Sequence, residues 1–506
     1  MLDLSTILAY NYFPKELPPP FHSRQFGLSL HKNSSKIVNL LNKDLKRARL
    51  CNYNLARPGK LFRRMGIPNP ISYYKLVKLI LENWEEIKQH IDKSNYSLTK
   101  TSESVSPYSG MDREHSFKER NLRRLSIRAN SSYILKVDIN RFYPSIYTHS
   151  LPWALHSKTK ARRDNKSALL GNKLDKAFRD CQDRQTNGIP IGPITSLVGA
   201  EVILSSIDQS LFKEIGPNAF RYIDDYEFGV STYSEAESAH SLIEGLLNKF
   251  ELSLNPLKTK IIELPHPIEK LWVNELRTYA FRNNNGKWYQ KNDLIAYFDR
   301  AFELAKNNKQ DNVLGYAIRR IENMHIEEDN IEIYQNYIYQ CINSEPNVLE
   351  NSLDSLIRVH KEHNKLDLET LSNVLNNLIY QNSIRANSSE IAWAIWAAII
   401  FNVQINERSV KAIKKTNDSV ITILTFDAHN KGIVKDDSSI KYWLSNVNED
   451  DLYLDDWLAA YEVNIQGWTN IAAKGDYIKN DPLYKGLKDN GISFYDVELS
   501  SRKMEK

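Results

Sequence analysis

Residues 218–230, NAFRYIDDYEFGV, carry the reading on which the fold turns. Two β-rich runs, Ala219 to Ile223 and Tyr226 to Val230, flank the acidic pair Asp224 and Asp225. The pattern predicts a hairpin that projects both carboxylates near its apex. Taken alone, the pair reads equally well as turn residues, because Asp makes local hydrogen bonds that favour turns. Upstream, YILKVDI (Tyr133 to Ile139) alternates as a strand does and delivers Asp138 at its end, with a turn at Arg141 to Pro144. Between these runs, Gly188 to Ser196 forms a Gly/Pro loop whose missing side chains let backbone approach a ligand. The helix that follows packs through Val198, Ile203, Leu204, Ile207 and Leu211.

Converging carboxylates point to one chemistry. Phosphoryl transfer to a 3′ hydroxyl uses two divalent ions about 3.5–4 Å apart, one at the attacking oxygen and one at the leaving group. Mg²⁺ is a hard ion that takes oxygen ligands and keeps waters, so two or three aspartates suffice and no histidine is required.

Composition sets the surroundings. The 506 residues allow two or three domains, and 42% hydrophobic with 25% charged residues is the profile of a folded globular protein. The longest nearly apolar run, Ile391 to Val403, falls short of the roughly 18 residues of a membrane span. The N-terminus, with Asp3 and a proline cluster, lacks the pattern of a signal peptide. Three scattered cysteines exclude a CxxC zinc site and fit a reducing cytosol, so the expected localisation is cytoplasmic. The net charge of +5 is uneven: residues 1–130 hold 23 Lys/Arg against 11 Asp/Glu, 131–264 balance at 16 each, and 265–506 carry 28 against 35. A polyanion is expected on the N-terminal third, beyond what solubility alone explains.

Residues 1–130 read as an irregular α+β region with a basic helical stretch, Lys36 to Arg49, and a polar loop, Thr99 to Gly110. Beyond about 290, helical patterns follow one another, and the first strand-like run falls near Val420. Leu349, Leu353, Leu356 and Ile357 share one helical face, and Leu368, Leu371, Leu375, Leu378 and Ile379 share another. Such successive pairs suit a HEAT-like α-solenoid. Trp393 and Trp396, three apart, read as core.

Four segments in order, VDINRFYPSIYTH (137–149), GIPIGPITSLVGAEVILSSID (188–208), RYIDDYEFGV (221–230) and LNPLKTKI (254–261), resemble palm motifs A to D of reverse transcriptases. The resemblance implies a right-hand polymerase of α+β class. In it, Asp138 and Asp224 are the principal metal ligands and Asp225 completes the YxDD box, holding two Mg²⁺ ions, with Mn²⁺ as a substitute. Tyr143 matches the steric gate that disfavours a 2′ hydroxyl, although an ordinary core aromatic is the alternative. Lys258 matches the motif D lysine that protonates the leaving pyrophosphate; a solvated lysine is the alternative. Gly192 lies in the loop beside the nucleotide. Arg120, Arg123, Arg124 and Arg128 precede motif A, where fingers residues meet the triphosphate, and Arg63 and Arg64 are further candidates. Spacing does not say which of these reaches the substrate. Ile191 stands where templated enzymes usually have Gln.

The segments FPKELPPPF and RRMGIPNPISYYKLV, with the long helical tail, are similar to the bacterial abortive-infection (Abi) polymerases. That similarity implies fingers and palm without a conventional thumb (1–264, divided into 1–130 and 131–264), then a helical repeat domain (265–506). It implies phage defence through DNA synthesis from dNTPs without a template, primed on a protein tyrosine. The single-stranded DNA product then stays covalently attached, and the chains assemble into a homo-oligomer. Tyr10 and Tyr12 are the primer candidates on the N-terminal segment. The other readings are a templated polymerase of retron or group II intron type, and a non-catalytic nucleic-acid binder.

Overall fold

A computed structural model describes residues 2–501 apart from 33, 43–46, 60, 116, 165–168, 283–286, 386 and 473–474. After three short helices, Leu4–Tyr10, Arg24–Lys32 and Ser34–Leu41, come two small hairpins. β1 (Cys51–Arg57) pairs with β2 (Leu61–Ile67), and β3 (Thr101–Glu103) pairs with β4 (Met111–Arg113). The expected polar loop at 99–110 thus contains a strand. Of the basic stretch Lys36 to Arg49, the helix covers only part: it spans Ser34–Leu41, residues 47–50 are not helical, and 43–46 lie outside the described residues.

The main sheet is antiparallel with order β6-β7-β5-β8, built from β5 (Tyr133–Asp138), β6 (Ala219–Tyr222), β7 (Asp225–Val230) and β8 (Lys260–Glu263). Its alternation separates two faces. Leu135 and Val137 stand opposite Phe228 and Tyr226, and all four join the main core. On the other face Lys136 stands opposite Glu227 and Asp138 opposite Asp225. The helix Phe117–Ala129 covers that face, with Ile127 packed on Ile134 and Phe220. Gly229 lets this helix close in, since a Cβ there would meet Ile127 O at 2.7 Å.

Beneath the sheet runs the helix Ile194–Ile215, longer than the apolar stripe of its sequence and buried almost all round. Glu201 and Asp208 lie two turns apart on it, both fully buried. Arg221 on β6, also fully buried, lies between them. It grips Glu201 with both terminal nitrogens (2.8 and 2.9 Å) and Asp208 through Nη2 (2.7 Å) and Nε (3.0 Å). Ser97 and Thr99 donate to Glu201, while Ser94 and Tyr226 donate to Asp208, so the buried charges are paired and hydrogen-bonded.

From Leu271–Thr278 onward every described element is helical. Each longer helix packs on the next but one: Ile331–Ser344 on Leu368–Ser383, Leu349–His363 on Ser388–Phe401, and Ser388–Phe401 on Ser419–Asn430. The expected leucine faces are buried, apart from the partly exposed Leu368, and Trp393 and Trp396 pack edge to face at 5.3 Å. The strand-like run near Val420 is a correction: it is the helix Ser419–Asn430, with the Asp418 carboxylate accepting from the Val420 and Ile421 amides. Val420, Ile421 and Ile423 are buried there, and packing outweighs their weak preference against helix. No helix among the described residues is long and apolar enough to cross a membrane.

The helical region folds back on the N-terminal part. Trp457 Nε1 donates to Ile67 O, Trp393 Nε1 to Glu16 O, and the Ala56 amide to Ser389 Oγ. Phe13, Phe26 and Trp457 all pack against Phe494, so a single core joins both ends of the chain.

Replacing Arg221 by Met would strand two buried carboxylates and lower stability by about 3–5 kcal/mol, read as a shift of the urea midpoint. A pH effect accompanies it. Burial raises the Glu201 pKa, but the Arg221 charge and hydrogen bonds from Arg221, Ser97 and Thr99 outweigh it and hold the carboxyl below its ordinary 4.5. A depressed folded pKa gives stability that is complete above pH 4.5 and declines as pH falls through the folded value. Arg221→Met is expected to lose that acid-side decline.

Candidate active site

The aspartates are brought together by strand register. Asp138 ends β5 directly opposite Asp225, the first residue of β7, so the two side chains emerge on one face. Asp224 occupies the two-residue turn with Ile223, and the Ile139 amide donates to Asp224 O at 3.2 Å, tying the turn to the end of β5. Ile223 has φ 58°, a left-handed conformation that hairpins usually give to Gly and that a β-branched side chain resists. The fold holds it there from both sides. Its amide donates to Thr99 Oγ1 at 3.1 Å and its carbonyl accepts from Arg221 Nη1 at 3.0 Å. The buried ionic network therefore reaches directly to the acidic turn.

Like charges opposite one another repel, and cations offset this. Lys258 Nζ lies 2.6 Å from Asp138 Oδ2, Asn255 Nδ2 donates to Asp138 Oδ1 at 3.0 Å, and Arg120 Nη2 lies 3.0 Å from Asp225 Oδ2. Asp224 is lifted to about 6 by burial first and then by the charges of Asp225 and Asp138. Burial and Asp138 also raise Asp225, partly offset by Arg120.

Beside the aspartates opens a cleft of about 230 Å³ lined by Tyr143, Ile191, Gly192, Ile223, Arg63 and Tyr10, among others. Tyr143 lies on the short helix Phe142–Ser145 just after β5, and its phenol is held above its ordinary pKa by burial and then by Asp224. Gly192 has φ 129°, and a Cβ there would meet Pro14 Cγ at 2.6 Å, so the loop closes on the N-terminal segment only as glycine. That segment forms a wall of the cleft with Tyr10, Phe13 and Lys15. Tyr12 turns away, fully buried, with its hydroxyl donating to Pro68 O.

The basic candidates divide. Arg63 lines the cleft together with Arg113, which the sequence did not single out. Arg120 faces Asp225, Arg124 holds Glu227 at 2.6 Å, Arg128 donates to His266 O, and Arg123 donates to Pro217 O. None of these four lines the cleft. Arg64 points instead to Asn52 and a neighbouring groove. The residues that sequence reasoning missed, Arg113, Asn255, Thr99 and Arg221, act across strand or loop pairings that a linear pattern does not reveal.

Among the described residues, one group of three has possible metal-ligand atoms all within 4.8 Å of one another: His325, Glu362 and His363, in the helical region. The aspartates do not form such a group, because Asp138 and Asp225 are turned onto Lys258 and Arg120.

No curated protein matches the chain. Among solved structures, apo telomerase from Candida tropicalis is similar over 77% of this chain and 76% of its own, with 12% identity and a TM-score of 0.33. The sequence model of the family described as reverse transcriptase (RNA-dependent DNA polymerase) matches residues 62–318, from within β2 to the helix Val313–Ile321. That match takes in the β5 carboxylate, the Gly/Pro loop, the acidic turn and Lys258, and it spans half of the chain. The chain therefore belongs to the reverse transcriptase family.

Proposed function

We propose that this protein is a DNA polymerase with a two-metal palm, of the abortive-infection type, that extends DNA from one of its own tyrosines without a template. The observation that carries the polymerase reading is the register placing Asp138 opposite Asp225, with Asp224 in the adjoining turn whose Ile223 lines the Tyr143–Gly192 cleft.

The residues fit a pair of Mg²⁺ ions. Cationic groups already stand against Asp138 and Asp225, and divalent ions would relieve Asp224, which burial first and then its two acidic neighbours lift. Asp138, Asp224 and Asp225 would hold them, and the bound ions would activate the 3′ oxygen and neutralise the triphosphate. The chain's own groups do the rest. Tyr143 presents its ring to the sugar and disfavours a 2′ hydroxyl. The Gly192 backbone lets the nucleotide approach, and Arg63 and Arg113 face its phosphates from the cleft wall. Lys258, with its side chain 60% exposed, exchanges Asp138 for the pyrophosphate and gives it a proton. Of the arginines expected to bind the nucleotide, Arg120 keeps a role at the Asp225 carboxylate, whereas Arg124 and Arg128, held by Glu227 and His266 O outside the cleft, are assigned to the palm scaffold.

Three features support untemplated, protein-primed synthesis. Ile191 brings no side-chain amide to the cleft. The N-terminal segment occupies one wall of it, and Tyr10, partly exposed and edge-on to Tyr108, is the tyrosine of that wall. The next-but-one helix packing after residue 264 supports a HEAT-like repeat domain in place of a thumb. We assign 1–130 to fingers, 131–264 to palm and 265–506 to that domain, in a cytoplasmic homo-oligomer that carries single-stranded DNA in phage defence. Templated copying is the second reading, favoured by the family's description as an RNA-dependent DNA polymerase.

Purified protein given Mg²⁺ and dNTPs without nucleic acid is expected to retain nuclease-sensitive DNA after denaturation; strict dependence on an added template would establish the second reading instead. Asp224→Asn is expected to cut synthesis by at least about a thousandfold, or about 4 kcal/mol of transition-state stabilisation, with unchanged folding. Wild-type rates in that variant would return the pair to a plain turn. Tyr10→Phe should abolish attached product while sparing extension of an added primer. For Tyr143→Ala, discrimination against ribonucleotides should fall by about 10–200-fold, measured by competition between dNTPs and NTPs.

A further inference from the structure

A second cluster of ligand-type side chains lies in the helical region. His363 and Glu362 end the helix Leu349–His363, and His325 sits on the loop before the short helical turn Glu328–Asn330. Glu362 Oε2 lies 4.0 Å from His325 Nδ1 and 3.7 Å from His363 Nε2, and the two rings are 6.0 Å apart. All three possible ligand atoms fall within 4.8 Å of one another.

The cluster is more than proximity. His363 Nε2 is a buried nitrogen with no hydrogen-bond partner, since the Glu362 oxygen lies beyond bonding distance. Such an orphan is costly unless something takes its lone pair. The position of His325 is fixed by neighbours. Arg358 Nη2 donates to Glu322 O (3.0 Å) and Met324 O (2.8 Å), and Gln290 Nε2 donates to His325 O (2.9 Å). Arg358 also reaches Glu362 at 3.3 Å, so one guanidinium holds the loop and the carboxylate in the same place. The nearby Glu328 is committed to Lys365.

We infer that His325, Glu362 and His363 form a binding site for a divalent transition ion of the Zn²⁺ class, separate from the palm. Two imidazoles and a carboxylate are a borderline donor set that suits zinc and is poorly matched to Mg²⁺. A tetrahedral ion with bonds of about 2.0–2.1 Å needs ligand atoms about 3.3 Å apart, so the two separations to Glu362, 3.7 and 4.0 Å, close by less than about 1 Å, and the histidine nitrogens, within 4.8 Å of each other, by at most about 1.5 Å. The fourth position opens to water, because the His325 side chain is 66% exposed. Bound there, the ion clips the loop at 325 to the end of the helix Leu349–His363, joining neighbouring layers of the helical stack.

The test uses the full-length chain, stripped with chelator and titrated with Zn²⁺ alone by calorimetry, with Co²⁺ as a spectroscopic probe. About one ion per chain is expected, with the intense visible bands of a four-coordinate Co²⁺ and a raised unfolding midpoint. His325→Ala, at an exposed loop position that leaves folding intact, and His363→Ala should each weaken binding at least about tenfold, while Asp224→Asn keeps it. Absence of saturable Zn²⁺ binding, or equally tight binding by both histidine variants, would overturn the site. Loss in Asp224→Asn with retention in His325→Ala would move the ion to the palm and overturn it equally.

Discussion

The salt-bridged core formed by Glu201, Arg221 and Asp208 is what the acidic turn rests on. Three charges with no exposed surface are tolerable only because every one is matched, and four hydroxyls complete the set. Arg221 is at once the anchor of β6 and a donor to the carbonyl of Ile223. Thr99 links the same network to the amide of Ile223. The conformation of a two-residue turn at the surface is thereby set by ion pairs in the deepest layer of the protein. Hydrophobic packing alone, which is non-directional, would not fix a carboxylate's position so closely.

A second constraint comes from the chain's two ends. The N-terminal segment is held between the Gly192 loop and the loop joining the last two helices, through Pro14 on one side and the Phe13–Phe494 stack on the other. The cleft beside the aspartates is therefore a composite. Its floor comes from the sheet and its loops, and its wall comes from residues 10–16. The helical region reaches the same place, since Trp393 donates to Glu16 O. Movement of the helical stack would be felt at the cleft through that segment and through the β1–β2 hairpin, which Ser389 and Trp457 hold and whose Arg63 and Met65 line the cleft.

Local pattern revealed much of this. The runs around Asp138, Asp224 and Asp225 alternate clearly enough to read as strands, and the glycines of the loop at 188–192 stand where φ is positive. The leucine spacing at 349–357 and 368–379 reads directly as two helices. What stayed hidden has a common cause. Arg221 reads as one more basic residue on a strand, because nothing nearby in sequence says that Glu201 and Asp208 close around it. Arg113 lies on a three-residue strand too short to show a period. The arginines at 120–128 suggest phosphate ligands by charge, yet their hydrogen bonds go to Asp225, Glu227 and backbone carbonyls of the sheet side. Val420 and its neighbours mislead because burial on all sides removes the polar face by which a helix is recognised.

Ile223 gives the turn a character that glycine would not. A β-branched residue has almost no comfortable alternative near φ 58°, so the turn has one favoured shape while Thr99 and Arg221 hold it and relaxes away once they let go. Glycine would bend there at ease and would also drift. The hairpin is thus tied to its foundations: geometry at the carboxylates depends on the two hydrogen bonds of Ile223, and through them on the integrity of the core beneath.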